Sequence, residues 1–128
     1  MTPIPPLVVV MGVSGAGKTT VGRLLAEKVG LPFCEGDDLH PPANKQRMAR
    51  GRPLDDAHRW PWLEAIRERL VDAARRQTGL VVACSALKQS YRRHLEADLP
   101  AVLFVLLDVD RATLQARLQQ RRGPRFFR

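Results

Sequence analysis

The chain has 128 residues, 45% of them hydrophobic, and a formal net charge of +8 at pH 7. This length predicts a single domain over residues 1–128, which is long enough to form a hydrophobic core and too short to include a second domain. The first apolar run is short, is broken by Gly12 and follows no basic segment, unlike a secretory or membrane signal. Cys34 and Cys84 form no C-x-x-C pattern, which predicts two small buried side chains rather than a disulfide or a structural zinc site. We therefore expect a cytoplasmic protein with no membrane partner.

The strong positive charge raises the question of nucleic-acid binding, because a basic face is the usual footprint of phosphate-backbone recognition. The arginines are spread over several segments and then concentrate near residues 117–128, with no aromatic stacking platform among them before Phe126. We expect no nucleic-acid partner. RNA binding stays a distant alternative that a salt titration would reveal.

A phosphate-binding motif lies between the first predicted strand and the first predicted helix. The apolar run Leu7–Met11 is typical of a parallel strand buried on both faces, and Val21, Leu24, Leu25 and Val29 then recur at helical spacing. Between these segments the sequence fits G-x-x-x-x-G-K-[ST], whose glycines let backbone N–H groups approach phosphate oxygens. The predicted nucleotide-binding residues are Gly12, Val13, Ser14, Gly15, Ala16, Gly17, Lys18, Thr19 and Thr20.

The side chains of this motif predict a nucleoside triphosphate and Mg²⁺ as its ligands. Lys18 is expected to reach the β- and γ-phosphates, which makes it a candidate catalytic residue. Thr19 offers a hydroxyl to Mg²⁺, and Thr20 is available for a further phosphate contact. The alternative is a glycine-rich turn with a solvated lysine.

Strands and helices alternate along the rest of the chain. We predict a helix that ends at Gly30, a strand over 31–34 that ends at Glu35-Gly36-Asp37, and a short helix around 44–50. The next helix is opened by Pro61 and ended by Gly79, and its apolar face consists of Trp62, Leu63, Ile66, Leu70 and Ala74. It is followed by a strand over 80–84, a polar helix over 85–96, a strand over 101–107, and a helix over 111–122 that Asp108 and Asp110 cap. This alternation predicts right-handed βαβ crossovers, a parallel sheet and a ligand site at the carboxyl ends of the strands.

Glu35 and Asp37 flank a glycine where the second strand ends. Near a phosphate-binding loop, one carboxylate can hold Mg²⁺ through a water while the other accepts the proton of an attacking hydroxyl. The alternative is a solvated turn with two exposed acids.

Several short sequence motifs resemble those of the gluconokinase family in their order and spacing. They are Asp37-Asp38-Leu39-His40-Pro41, Asn44 with Met48 and Gly51, Pro53-Leu54-Asp55-Asp56, Arg59 with Pro61-Trp62-Leu63, and Cys84-Ser85-Ala86-Leu87-Lys88 with Tyr91-Arg92. The resemblance extends from Val9 to Arg122. It implies ATP-dependent phosphorylation of D-gluconate on its 6-hydroxyl, and an α/β P-loop fold with three layers around a parallel sheet, similar to nucleoside monophosphate kinases.

The same resemblance implies roles for individual residues. Asp37 matches the group that meets the sugar hydroxyl, and Glu35 matches the water-mediated Mg²⁺ ligand, where the family more often has Asp. The implied gluconate pocket consists of Asp37, His40, Arg59, Lys88 and Arg92, with Arg47 as a weaker addition. A sugar carboxylate calls for such cations. His40 could instead cap a turn, Arg59 could stack on Trp60, and Lys88 and Arg92 could be solvated.

The family also implies a lid that starts within residues 111–128. Arg117 and Arg121 lie four residues apart, and both are candidate catalytic residues that close on the transferring phosphoryl group. After Arg122 the sequence departs from the family pattern, reading Gly123-Pro124-Arg125-Phe126-Phe127 where the family has Gly-His-Phe. We expect the last strand of the family fold to be missing, which would leave 102–107 as an apolar edge prone to self-association, for example as a homodimer.

Two other functions stay open at this point. Another small-molecule kinase of the same fold, such as a shikimate kinase, would share the motif and the acidic pair. A shortened chain that binds nucleotide or a partner with little turnover is the non-enzymatic alternative. Product formation separates these alternatives.

Overall fold

The computed structural model describes residues 5–12, 17–85, 88–99 and 101–107. In chain order the elements are β1 (Leu7–Met11), α1 (Lys18–Val29), β2 (Phe33–Glu35), a 3₁₀ turn (Gly36–Leu39), α2 (Pro42–Ala49), α3 (Asp56–Arg76), β3 (Leu80–Cys84), α4 (Gln89–Glu96) and β4 (Val102–Leu106). The strands form one parallel sheet in the order β2-β3-β1-β4. The predicted parallel α/β fold is confirmed.

Helices cover both faces of the sheet. On one face, the side chains of Val9 and Val82 pack with Leu63 and Ile66 of α3. On the other face, Val8, Val10 and Val81 pack with Ala26 of α1. Every residue of β1 and β3 is buried, as continuous apolar runs require in a sheet covered on both sides. The core therefore has the three layers that the sequence predicted.

The first helix forms where it was predicted, but it buries only part of the predicted apolar face. Val21, Leu24 and Val29 are exposed, whereas Gly22 and Ala26 are buried. A side-chain carbon added at Gly22 would lie 2.7 Å from Cε1 of Phe33, so only a residue without one lets the helix approach β2 this closely. Of the four predicted apolar residues only Leu25 packs against the core, and the prediction was wrong for the other three because small residues make the close contact with β2.

The long helix α3 begins and ends differently from the prediction. Asp55 caps it, since its Oδ1 accepts a hydrogen bond of 3.0 Å from the N–H of His58. Pro61 therefore lies inside the helix rather than at its start. At the other end the helix stops at Arg76, before the predicted end at Gly79, because Gln77 adopts the left-handed conformation with φ of 58°.

The remaining predicted elements agree in outline. Gly30 caps α1 in the left-handed conformation, and α2 covers the predicted short helix. The helix predicted from residue 85 begins only at Gln89, because Lys88 is still extended. The predicted helix over 111–122 lies outside the described residues. In the described part of the chain, no helix has the length and apolar character needed to cross a membrane.

The strands end together at one edge of the sheet. Met11 lies opposite Cys84 and Leu106, and Glu35 lies opposite Ala83. The residues that follow β1, β2 and β3 therefore meet at this edge, as predicted. At the far side of the described sheet, β4 pairs with β1 and exposes Leu103 and Leu106.

A substitution at the end of β2 tests how tightly this edge is packed. A side-chain carbon at Gly36 would overlap the carbonyl oxygen of Ala83, whereas one at Gly51 meets nothing but must adopt φ of +72°. We expect Gly36→Ala to lower the free energy of unfolding by at least about 2 kcal/mol, and Gly51→Ala by about 1 kcal/mol. Urea unfolding measures both. A loss for Gly36→Ala no greater than that for Gly51→Ala would contradict this packing.

Candidate active site

The phosphate-binding motif leads directly into α1. Gly17, at the cap position, has φ of 95°, a conformation that favours glycine, and Lys18 begins the helix. Gly12, at the end of β1, is buried, and so is Lys18. The first turn of this 12-residue helix carries the partial positive charge that attracts phosphate. The predicted contacts of Val13, Ser14, Gly15 and Ala16 lie outside the described residues.

A hydrogen bond links this helix to the end of β2. The Oγ1 hydroxyl of Thr19 donates to Oε2 of Glu35. The other carboxylate oxygen of Glu35 accepts from the backbone N–H of Asp37 at 3.4 Å. Glu35 is thereby held against the first turn of α1, while Thr20 next to Thr19 is exposed.

Thr19 and Glu35 provide suitable donors for Mg²⁺. A hydroxyl and a carboxylate oxygen in contact are hard ligands, and Mg²⁺ in proteins typically takes one or two carboxylates together with substrate phosphates and waters. Within the described ranges, no group of three or more His, Cys, Asp or Glu side chains could hold a metal. The two oxygen donors of Thr19 and Glu35 fit a Mg²⁺ ion that arrives with a nucleotide.

Asp37 connects two strand ends. Its Oδ1 accepts a hydrogen bond of 3.3 Å from the hydroxyl of Ser85, the residue that follows β3. The carbonyl oxygen of Gly36 accepts one of 2.8 Å from Nε1 of Trp62, which anchors this turn to α3. The sequence predicted no role for Ser85 beyond its place in a motif that resembles the family, because its hydrogen bond to Asp37 spans 48 positions.

Beyond Asp37 lies a cavity of about 390 Å³ between α2, α3 and α4. This volume suits a small polar metabolite. It is lined by His40, Met48, Arg52, Pro53, Leu54, Arg59, Trp62, Ser85, Lys88 and Tyr91. Ser85 contributes to this lining and also contacts Asp37, so it joins the cavity to the carboxylate at the strand end.

Three of the six predicted substrate residues, His40, Arg59 and Lys88, line this cavity. The other three, Asp37, Arg47 and Arg92, are not among its lining residues, although Asp37 contacts the lining residue Ser85. Arg47 instead donates from Nη2 to the carbonyl oxygen of Pro53 at 3.1 Å. Arg92 lies in the first turn of α4 and is half-buried. The predicted lid residues Arg117 and Arg121 lie outside the described part of the chain.

His40 is a buried, neutral ring in the wall of the cavity. It is 7% exposed and stacks on Trp62, with ring centroids 4.2 Å apart and planes at 15°. Burial, together with the nearby positive charges of Lys45 and Arg59, lowers the pKa of His40 to about 4. At neutral pH His40 therefore contributes hydrogen bonds rather than a positive charge.

Lys88 shares a carboxylate with Tyr91 at the rim of the cavity. Its ammonium lies 2.9 Å from Oδ1 of Asp56, and the Tyr91 hydroxyl donates to the same oxygen. The hydrogen bond from Lys88, followed by that from Tyr91, lowers the pKa of Asp56. Arg59 donates to the Tyr91 hydroxyl at 3.5 Å. Asp56 and Tyr91 belong to the motifs that resemble the gluconokinase family, but the sequence predicted no role for either residue.

Comparison with known proteins identifies the family. The shikimate kinase family model matches residues 14–127. A gluconokinase of Gluconobacter oxydans is 49% identical over 119 residues, 93% of this chain and 67% of that protein. The thermosensitive gluconokinase of Escherichia coli is 43% identical over 90% of this chain and 62% of its own length. The chain belongs to the gluconokinase family.

A solved structure supports this assignment. The gluconokinase of Sinorhizobium meliloti 1021 superposes with a TM-score of 0.84 at 46% identity, over 98% of this chain and 73% of that chain. The shikimate kinase model therefore describes the broader group, and its gluconokinase relatives place the chain within that group. The family that the sequence motifs indicated is confirmed.

The buried position of His40 predicts a pH-dependent stability. Because its pKa is about 4 in the folded protein and near 6.5 in the unfolded chain, unfolding takes up a proton below pH 6.5. We expect stability to fall as the pH drops from 6.5 to 4, by about 3 kcal/mol more in the wild type than in His40→Gln. Urea unfolding across this range measures the difference. Parallel curves for the two proteins would contradict a buried neutral imidazole.

Proposed function

We propose that this chain transfers the γ-phosphoryl group of ATP to the 6-hydroxyl of D-gluconate. The observation that carries the proposal is the position of Asp37, between the phosphate-binding end of α1 and the cavity that Arg59 and Lys88 line. The gluconokinase names of its relatives supply the substrate. The chain spans 62% to 67% of the length of these two relatives, so activity, substrates and partners are stated here as proposals.

On the nucleotide side, this chain binds and orients the phosphates. Lys18 and the first turn of α1 neutralise phosphate charge, and Gly12 and Gly17 leave space for close approach. Thr19 and Glu35 would hold Mg²⁺, which when bound screens the negative charge of the phosphate oxygens. We also propose that Arg117 and Arg121 close over the phosphoryl group as it is transferred.

On the acceptor side, Asp37 takes the proton of the sugar hydroxyl. As the hydroxyl oxygen forms its bond to the γ-phosphorus, the bond from that phosphorus to the β,γ-bridging oxygen breaks and ADP leaves. The proton passes to a carboxylate oxygen of Asp37. The hydrogen bond from Ser85 to Oδ1 holds this carboxylate in a fixed orientation.

The cavity wall matches a polyhydroxylated acid. Arg59 and Lys88 are cations suited to a carboxylate, and neutral His40 and Tyr91 offer hydrogen bonds to hydroxyls. Asp56 now holds the ammonium of Lys88 as a substrate carboxylate would. We propose that gluconate shares or displaces this contact when it binds.

The same proposal covers the number of domains, the cellular location and the partners of the chain. We propose one domain over residues 1–128 in the cytoplasm, where ATP is available, without nucleic-acid or membrane partners. Assembly into a homodimer stays a prediction.

Shikimate is the second candidate substrate, because the shikimate kinase family model matches residues 14–127. Shikimate is also a hydroxylated carboxylate, so the cations of the cavity do not exclude it. Coupled ADP release with gluconate, other sugar acids and shikimate tests both candidates. We expect gluconate to give the highest kcat/KM, by at least tenfold. Faster turnover of shikimate, or ADP release independent of any acceptor, would overturn the proposal.

Neutralising Asp37 tests its catalytic role. Because a general base typically contributes 10² to 10⁴ in rate, we expect Asp37→Asn to lower kcat with gluconate by about 10³ while ATP binding stays within threefold. The neighbouring Asp38 is exposed, and Asp38→Asn is a matched control expected to retain wild-type kcat. Equal kcat values for the two variants would remove Asp37 from this role.

A further inference from the structure

Asn44 is buried behind His40, on the side of α2 that faces α3. It is 3% exposed. Its Nδ2 atom donates to the backbone carbonyl oxygen of His58 at 2.7 Å and lies 3.1 Å from Nδ1 of His40. A carbonyl oxygen can only accept a hydrogen bond, so the atom that faces His58 must be the amide nitrogen and not the amide oxygen.

This contact fixes the position of the ring proton on His40. The amide nitrogen of Asn44 carries two hydrogens: one goes to His58, and the other points to Nδ1 of His40. A ring nitrogen that meets a donor must present its lone pair, so the proton of the neutral ring sits on Nε2. Among the residues that the structure describes, Nε2 of His40 has no hydrogen-bond partner, and the ring lines the cavity.

We propose that Asn44 is a positioning residue that holds His40 as the Nε2–H tautomer, so that the ring offers one neutral donor to an oxygen of the bound sugar acid. This inference rests on the proposed function for the identity of the acceptor. Stacking on Trp62 sets the plane of the ring, and Asn44 decides which of its two nitrogens can donate.

The surroundings of His40 favour a neutral donor over a cation. Lys45 on α2 and Arg59 on α3 are the charged groups that act on the ring, and both are positive. The amide of Asn44 adds a third unfavourable contact for a proton on Nδ1. A neutral donor keeps its hydrogen-bonding pattern across the physiological pH range, whereas an ordinary histidine changes charge within that range.

Ring protonation can be observed directly. The chain has three histidines, and His40→Gln assigns the His40 signals in two-bond ¹H–¹⁵N spectra of histidine-labelled protein. We expect Nε2 protonated and Nδ1 unprotonated from pH 5.5 to 8 in the wild type. Asn44→Asp replaces the donor with an acceptor of the same shape, so we expect Nδ1 to gain a proton and His40 to titrate about one to three pH units higher. Gln46→Glu makes the same chemical change at an exposed position of α2 and is expected to leave the ring unchanged.

Kinetics connect the tautomer to substrate binding. We expect Asn44→Asp to raise KM for gluconate about tenfold at pH 7.5, to make that KM pH-dependent and to change kcat less, whereas Gln46→Glu stays within twofold of the wild type. A wild-type ring protonated on Nδ1, an unchanged ring in Asn44→Asp, or a changed ring with unchanged KM would each overturn the inference. The wild-type spectrum decides the tautomer even if Asn44→Asp fails to fold. A wild type that does not turn over gluconate would overturn the proposed function instead, and the spectra would still decide whether Asn44 fixes the ring.

Discussion

The parallel register of β1, β2 and β3 is the constraint on which the whole site depends. With Met11 opposite Cys84 and Glu35 opposite Ala83, the three chains leave the sheet at the same edge. The hydrogen bond from Thr19 to Glu35 and that from Ser85 to Asp37 both follow from this alignment. A shift of one residue in either pairing would turn the side chains to the opposite face and separate the carboxylates from α1.

The two carboxylates at this sheet edge, those of Glu35 and Asp37, face different parts of the site. Glu35 faces the first turn of α1, whereas Asp37 faces Ser85 and the cavity beyond it. Two carboxylates only two residues apart therefore serve different partners. At the cavity, neutral His40 and the Asp56–Lys88 pair limit the positive charge, so its wall presents hydrogen-bond donors as well as cations.

Sequence reasoning found the parts of the fold that local patterns determine. Continuous apolar runs identified β1 and β3, and the order of strands and helices located the site at their carboxyl ends. It failed where tertiary contacts override local pattern. Gly22 rather than Val21 or Leu24 faces the sheet because Phe33 fills the space there, and the Asp55 cap starts α3 before Pro61.

Long-range side-chain partners were also beyond the sequence. Nothing local indicates that Lys88 pairs with Asp56, 32 positions away, or that Asn44 bridges His40 and the backbone of His58. By contrast, the proximity of Thr19 and Glu35 was foreseeable, because Glu35 ends β2 and Thr19 lies in the first turn of the helix that follows β1, at the same sheet edge. Arg47 and Arg92 match family positions, yet their surroundings in the fold place them outside the cavity lining.

The proposed reaction transfers the phosphoryl group at this sheet edge to the primary 6-hydroxyl of gluconate rather than to water or to a secondary hydroxyl. Proton-coupled ³¹P NMR of the wild-type chain with Mg–ATP and gluconate tests it most directly. We expect a new phosphate-ester signal that is split into a triplet by the two protons of a primary carbon and that grows as the γ-phosphate signal of ATP declines. Growth of inorganic phosphate alone, or a doublet from an ester at a secondary carbon, would contradict it.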